Sequence, residues 1–213
     1  MTADLGTIWQ PRPGSDPSKF DYAEAHVFLT EIASYVDKSS SPYYVGQESD
    51  AKFRVPIHDL EFSTLAQTQR ATDAGSRGYD RMKAAAARAS MPKSFSSGFT
   101  LYDPALASYI SFMEASYGKR PFLSAQGFIG LCPAGAQAGD LLCVLAGMHG
   151  LVVLRPVVQD ESQEESAAVV AEDQQWQQEE RFTLVGEAYA YGIMDGELWQ
   201  LQPPLEARRF EIM

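Results

Sequence analysis

The sequence predicts an α+β fold in which N-terminal helices pack on a small curled antiparallel sheet or a partly open β-barrel. Two observations lead to this prediction. Apolar residues recur at helical spacing in the first half of the chain, whereas short apolar runs separated by glycines fill the second half. Short consecutive strands joined by tight turns pair in an antiparallel manner, and the preceding helices need a surface on which to bury their apolar stripes.

Four helices are predicted in a helical part that covers residues 19–118. The last of them has the clearest boundaries, because Asp103 supplies an N-cap, Pro104 suits the first helical position and Gly118 suits the position after the helix. Residues 1–18 are rich in proline, glycine and serine and are expected to form a flexible arm. The predicted helices run from Asp21 to Val36, from Val55 to Arg70, from Tyr79 to Ala89 and from Pro104 to Tyr117.

The remainder, residues 119–213, is predicted to be β-rich and to form one compact domain with the helices. Glycine-containing turns separate its strands, and an acidic, glutamine-rich insert at residues 159–180 interrupts them. Nothing in the composition of that insert favours a strand, so a mobile loop is expected there. The predicted strands cover residues 120–125, 128–132, 140–146, 151–158, 181–189 and 208–212.

Composition and charge restrict the classes of partner. The 213 residues are 45% hydrophobic, which is sufficient for a buried core, and the net charge of −11 opposes binding to nucleic acid. The N-terminus lacks the basic start and apolar run of a secretory signal, and the longest apolar stretch, Leu141 to Leu154, is too short to cross a bilayer. That stretch leads us to expect no membrane association. Only Cys132 and Cys143 occur, so we expect a reduced, cytoplasmic protein.

No residue pattern for a metal, a cofactor or a nucleophile stands out. His26, His58 and His149 are far apart, and neither a Gly-x-Ser-x-Gly elbow nor a phosphate-binding glycine loop occurs. We therefore expect no cofactor and no metal. One alternative is a general base at His58 oriented by Asp59 or Glu61, although neighbouring side chains on a helix do not face one another.

The most specific pattern lies between Lys119 and Glu197. An Arg-aromatic strand leads into a Gly-x-x-Gly-Leu-x-Pro turn, and a later segment closes the series with Leu-Val-Gly-Glu-x-Tyr-x-x-Gly-Ile-Met-x-Gly-Glu. The order and spacing resemble the C-terminal region of fungal heterokaryon-incompatibility proteins. The positions that carry the resemblance are Arg120, Phe122, Gly127, Gly130, Leu131, Pro133, Gly139, Asp140, Leu154, Arg155, Pro156, Leu184, Val185, Gly186, Glu187, Tyr189, Gly192, Ile193, Met194, Gly196 and Glu197.

The resemblance implies a scaffold more than an activity. The segment from Phe53 to Glu61 resembles, more weakly, the residues that precede this region in such proteins. Family members that trigger cell death carry an N-terminal signalling domain, and a chain of 213 residues beginning at Met1 is expected to lack it. Either a C-terminal fragment or a short stand-alone relative is then expected, so the function has to be argued from a site.

Three charged residues of this pattern are candidates for a site. Arg155, Glu187 and Glu197 each fall at or near the end of an apolar strand, where a buried charge is costly unless it is paired. An arginine–carboxylate brace between strands is the simpler interpretation, and a catalytic role is the alternative.

The first functional hypothesis is a cofactor-free protein that binds a hydrophobic small molecule, such as a Diels-Alder type cyclase of natural-product biosynthesis. Tyrosines on the predicted helices and the closing strand could line an apolar pocket and orient a carbonyl, and a pericyclic reaction needs no nucleophile or metal. Under this hypothesis the protein could be a monomer or a homodimer. The candidate catalytic residues are Arg155, Glu187, Tyr189 and Tyr191, and the candidate substrate-binding residues are Tyr109, Met113 and Tyr117.

The second hypothesis is a regulatory or interaction module of the incompatibility family that has no catalytic activity. It binds a partner protein through its β surface or its acidic loop, and it predicts an exposed apolar patch and no deep cavity. The cyclase predicts an enclosed, largely apolar pocket of several hundred Å³ between the helices and the β part, on the scale of ordinary ligand sites. The shape and lining of any cavity therefore separate the two hypotheses.

Overall fold

The computed structural model describes residues 2–14, 16, 19–39, 47–63, 66–89, 103–148, 150–157, 181–197 and 209–213. Within them it confirms the predicted α+β class, with four α-helices and a mostly antiparallel sheet. The predicted insert at residues 159–180 lies outside the described residues. The helices are α1 (Tyr22–Lys38), α2 (Glu48–Arg54), α3 (Asp73–Ala89) and α4 (Pro104–Glu114).

The strands divide between a main sheet and a small hairpin. In the main sheet the order is β1-β4-β5-β8-β7-β6, with β9 added in parallel to β8, while β2 and β3 form the hairpin. The described strands do not close into a barrel, because β1 and β6 stand at the two ends of the order. The strands are β1 (Thr2–Leu5), β2 (Leu60–Phe62), β3 (Thr68–Arg70), β4 (Lys119–Ser124), β5 (Ile129–Pro133), β6 (Leu141–Val144), β7 (Leu151–Pro156), β8 (Arg181–Ala190) and β9 (Glu211–Ile212).

The first residues differ from the expected flexible arm. β1 pairs with β4, and Trp9 beyond it is only 2% exposed. Its ring stacks on Phe28 with centroids 5.0 Å apart, and its indole N–H donates to the Met113 carbonyl oxygen over 2.7 Å. Buried aromatic stacking of this kind contributes beyond the area that it removes from water. Burial of Trp9 therefore ties the N-terminus to the helical part.

The predicted helix from Val55 to Arg70 is wrong. A short 3-10 helix, Val55–Ile57, follows α2, and the chain then reverses through His58 and Asp59, which have φ angles of 53° and 59°. Such left-handed backbone is uncommon outside glycine, although histidine and aspartate tolerate it better than most residues. The Arg54 guanidinium holds the turn, because it donates to Asp59 Oδ1 and to the carbonyl oxygen of Ala71, each over 2.5 Å.

Helix α3 begins at Asp73 and contains Gly75 and Gly78, so it starts earlier than the helix predicted from Tyr79 to Ala89. Gly78 packs against α4 so closely that an added Cβ would lie 2.7 Å from the Ala105 carbonyl oxygen and 2.8 Å from Tyr109 Cβ. Glycine lets two helix backbones approach each other where any side chain would hold them apart. Gly78 therefore serves the packing between α3 and α4.

Gly130 has a similar role at the centre of the sheet. β5 pairs with β8 through Gly130 opposite Ala190 and Leu131 opposite Tyr189. A Cβ on Gly130 would overlap the Tyr189 carbonyl oxygen. The predicted hairpin at Gly127 and Gly130 is therefore correct for the turn, while Gly130 itself permits the close approach of two backbones.

A bidentate ion pair braces β6 and β7. Arg155 Nε and one terminal nitrogen each lie 2.9 Å from a carboxylate oxygen of Asp140, and that terminal nitrogen also donates to the Gly135 carbonyl oxygen over 2.7 Å. Asp140 is 2% exposed. The brace was predicted, but its expected carboxylates, Glu187 and Glu197, are not the partners, because Asp140 lies where β6 begins beside the end of β7.

We predict that Arg155→Ala lowers the free energy of unfolding, since it leaves the buried Asp140 carboxylate without its cation. The melting temperature should fall accordingly. The matched control is Arg181→Ala, which breaks the exposed Arg181–Glu211 pair and should change stability little. Equal melting temperatures for Arg155→Ala and the wild-type chain would contradict the assignment.

Replacing Gly130 is expected to be far more damaging. Gly130→Ala should lower the free energy of unfolding by about 3 kcal/mol or more, because β5 and β8 must separate to admit the methyl group. Gly150→Ala is the control, since nothing lies within 4 Å of a Cβ at that position. Chemical denaturation measures both variants, and similar small losses would show that the β5–β8 approach is not under this constraint.

Candidate functional site

A polar cleft of about 360 Å³ lies where the helical part meets the end of β8. One wall comes from α2 and from the turn and hairpin that follow it. The other wall comes from the last residues of β8 and the closing segment of the family pattern. The lining residues are Gln47, Asp50, Arg54, Asp59, Arg70, Tyr189, Tyr191, Gly192, Met194, Asp195 and Glu197.

A series of ion pairs crosses this cleft from one wall to the other. Arg54 lies 3.5 Å from an oxygen of Asp50 and 2.5 Å from an oxygen of Asp59. Arg70 approaches the second oxygen of Asp59 at 3.5 Å and pairs with Asp195 on the opposite wall. The left-handed turn places the Asp59 carboxylate between the two guanidiniums. These contacts therefore connect α2 and β3 to the segment that follows β8.

Two tyrosines form the aromatic part of the lining. Tyr189 and Tyr191 are 5% and 7% exposed. The Tyr191 hydroxyl donates to Gln47 Oε1 over 3.3 Å, at the start of α2. Burial, together with the nearby Asp50 carboxylate, raises the pKa of Tyr191, so its hydroxyl remains a donor at neutral pH.

Behind Tyr189 lies His58, whose predicted role as a general base has no support in its surroundings. Burial and the Lys119 ammonium lower the pKa of His58 to about 4. Its ring meets Tyr189 edge to face with centroids 5.4 Å apart, and Nδ1 lies 3.3 Å from the hydroxyl of the fully buried Ser116. A neutral, partly buried imidazole of this kind packs against Tyr189 and is a weak base.

The residues proposed to orient His58 have other partners. Asp59 pairs with the two arginines of the cleft. Glu61 is 4% exposed and accepts hydrogen bonds from Thr72 Oγ1 at 2.6 Å and from Gln69 Nε2 at 3.0 Å. Glu61 therefore stabilises the connection into α3 and does not face the imidazole.

The structure brings only two of the seven predicted site residues, Tyr189 and Tyr191, to the cleft. Tyr109 and Met113 belong to the core of α4, where Tyr109 is 2% exposed and donates to the Phe53 carbonyl oxygen over 3.0 Å. Tyr117 packs beside Trp9, with ring centroids 5.0 Å apart. The other two predicted residues lie on the sheet: Arg155 is bound to Asp140, and Glu187 is exposed on β8.

Sequence reasoning missed most of the charged lining, although two signals pointed to it. The weakly similar segment from Phe53 to Glu61 contains Arg54 and Asp59. The closing pattern contains Asp195 and Glu197. What the sequence did not indicate was that these two segments meet in space.

Other chemistry finds no support among the described residues. The Cys132 thiol is buried, and burial raises its pKa to about 12, which makes it a poor nucleophile. Within the same residues no three His, Cys, Asp or Glu side chains are grouped as metal ligands. The described helices also include none that is long and apolar enough to cross a membrane.

Because the pKa of His58 is lower in the folded chain than in the unfolded chain, the unfolded state binds the extra proton as the pH falls below about 6.5. The contribution of neutral His58 to the free energy of unfolding is thus fully present above that pH, and it is lost as the pH falls towards 4. We predict that the free energy of unfolding of the wild-type chain falls by about 2 kcal/mol more between pH 7 and pH 5 than that of His58→Asn.

Asparagine tolerates the left-handed backbone at position 58, so this variant should fold. Denaturant titrations at both pH values measure the difference. Ser116→Ala, which keeps the imidazole, should retain the wild-type pH dependence. A parallel pH profile for His58→Asn and the wild-type chain would contradict a histidine that stays neutral in the folded chain.

Comparison with known proteins agrees with the sequence resemblance. A family model described as the Het-6 beta-barrel domain matches residues 103–207. The heterokaryon incompatibility protein 6, OR allele, of Neurospora crassa is 36% identical over 81 residues. That match covers 38% of this chain and 9% of the relative, so the chain spans only a small part of its length. No solved structure matches. Residues 103–207 are therefore similar to the Het-6 β-barrel domain, and part of the chain is similar to a heterokaryon-incompatibility protein of a fungus.

Proposed function

We propose that this chain is a recognition module of the heterokaryon-incompatibility type, which binds a partner protein at the cleft and has no catalytic activity of its own. The main support is the origin of the cleft walls. One wall comes from residues 189–197, inside the segment that matches the Het-6 domain, and the other comes from residues between 47 and 70, which precede that segment. The name of the Neurospora relative links such a domain to incompatibility.

The chemistry of the cleft also favours a protein ligand. Six of its eleven lining residues carry a charge, and the cleft is open to solvent. Polar and charged side chains of a partner can replace water at such a surface and exchange hydrogen bonds with it. A polyene offers no groups that could compensate for desolvating these charges.

A cofactor-independent cyclase acting on a hydrophobic small molecule stays a prediction. It requires a mainly apolar, enclosed pocket, and the cleft has neither property. Tyr109 and Met113, expected to bind its substrate, are covered in the core of α4. These observations lend the cyclase no support, and the recognition module is the better interpretation of the site.

The recognition proposal predicts that partner binding depends on the cleft. Asp195→Arg places a cation beside Arg70 at the exposed mouth of the cleft and should weaken binding by about tenfold or more. Proteins captured from a fungal extract by the tagged chain would be identified, purified and titrated against each variant by calorimetry. Glu211→Arg, an equal charge reversal on β9, is the matched control and should bind like the wild-type chain.

Two outcomes would oppose this proposal. Equal affinities for Asp195→Arg and Glu211→Arg would remove the cleft from the binding surface. Conversion of a polyene by the purified chain, with product ratios different from those of a protein-free incubation, would restore the cyclase. Circular dichroism of both variants establishes that any loss of binding is not a loss of fold.

A further inference from the structure

We propose that the cleft accepts a cationic side chain, specifically the guanidinium of an arginine presented by the partner. This inference rests on the proposed recognition function and adds the chemical class of the group that is recognised. It is carried by three features of the cleft: the surplus of carboxylates, the internal pairing of its own arginines, and the tyrosines in its lining.

The lining has an excess of negative charge. Four carboxylates face two guanidiniums in the cleft, within a chain whose net charge is −11. The excess attracts cations and repels anions, and the charge of the whole molecule acts in the same direction. An acidic ligand would have to overcome both effects.

The two arginines of the cleft are already paired with carboxylates of the protein. Arg54 is only 21% exposed and is bound by Asp59, by the Ala71 carbonyl oxygen and, more loosely, by Asp50. Arg70 lies between Asp59 and Asp195. A ligand carboxylate would therefore compete with these internal carboxylates for the guanidiniums.

The carboxylates, by contrast, retain acceptor capacity. Asp50 is 47% exposed and its ion pair with Arg54 spans 3.5 Å, which is longer than a hydrogen bond. Asp195 is 63% exposed, and one oxygen of Glu197 accepts the Asp195 backbone N–H over 2.7 Å. Each ionised carboxylate offers about four acceptor positions, so an incoming guanidinium can be bound without breaking the existing network.

The aromatic walls suit the same ligand. Tyr189 and Tyr191 line the cleft beside these carboxylates. Guanidinium groups stack on aromatic faces and are more weakly hydrated than ammonium groups, which makes arginine easier to desolvate than lysine. A planar cation that contacts the exposed parts of these rings and forms bidentate hydrogen bonds to the carboxylates fits this lining better than a point charge.

The test uses three capped tripeptides as probes, with arginine, citrulline or glutamate between two glycines. Binding to the full chain is followed by amide chemical shifts of the residues that line the cleft. We expect the arginine peptide to bind at least about fivefold more tightly than the citrulline peptide, because citrulline keeps the shape and loses the charge. The glutamate peptide should cause no shifts at the cleft.

Variants assign the interaction to particular side chains. The double variant Asp50→Asn and Glu197→Gln should weaken binding of the arginine peptide by about fivefold or more, since it removes the surplus negative charge of the cleft with little change in shape. Glu211→Gln, far from the cleft on β9, should leave the affinity unchanged. Equal binding of arginine and citrulline peptides, or an unaltered affinity of the double variant, would overturn the inference.

Failure of this inference differs from failure of the recognition proposal. If the tripeptides give these contrary results while the purified partner still distinguishes Asp195→Arg from Glu211→Arg, the cleft binds protein through another group. If the partner does not distinguish those two variants, recognition at the cleft is wrong regardless of the peptides.

Discussion

The close approach of β5 and β8 is the constraint on which the rest of the structure depends. β8 pairs along most of its length with β7, and only its last residues, Tyr189 and Ala190, pair with β5. The β1-β4-β5 part of the sheet therefore joins the remainder through one short contact, which a side chain at Gly130 would prevent. The same contact aims the end of β8 at the helices, so the geometry of the cleft depends on it.

The cleft couples two segments that are separated by much of the chain. Asp59 stands between Arg54 and Arg70, and Arg70 continues the chain of charges to Asp195 in the closing segment. Because these contacts are partly exposed, each contributes modestly to stability, and their main effect is to orient the carboxylates that line the cleft. An orienting network with acceptor positions to spare is suited to recognition.

The candidate site could be predicted only in part. Tyr189 and Tyr191 were identified because aromatic residues in the closing strand suggest a pocket, and both line the cleft. Tyr109 and Met113 carry the same local signal, yet α4 turns them into the core. Aromatic residues on one face of a helix have the same sequence pattern whether they contact a neighbouring helix or line a cavity. Composition and spacing therefore cannot distinguish core residues from pocket residues.

The sequence by itself determined the α+β class, the bounds of α1 and α4 to within a few residues, most strands of the sheet and the relationship to the Het-6 domain. These features are local, since helix caps, turn glycines and apolar periodicity act over a few residues. Only the tertiary structure decided that Gly78 admits a neighbouring helix, that Arg155 binds Asp140, and that His58 and Asp59 form a left-handed turn. Each of these depends on groups distant in sequence, whose positions the local pattern does not encode.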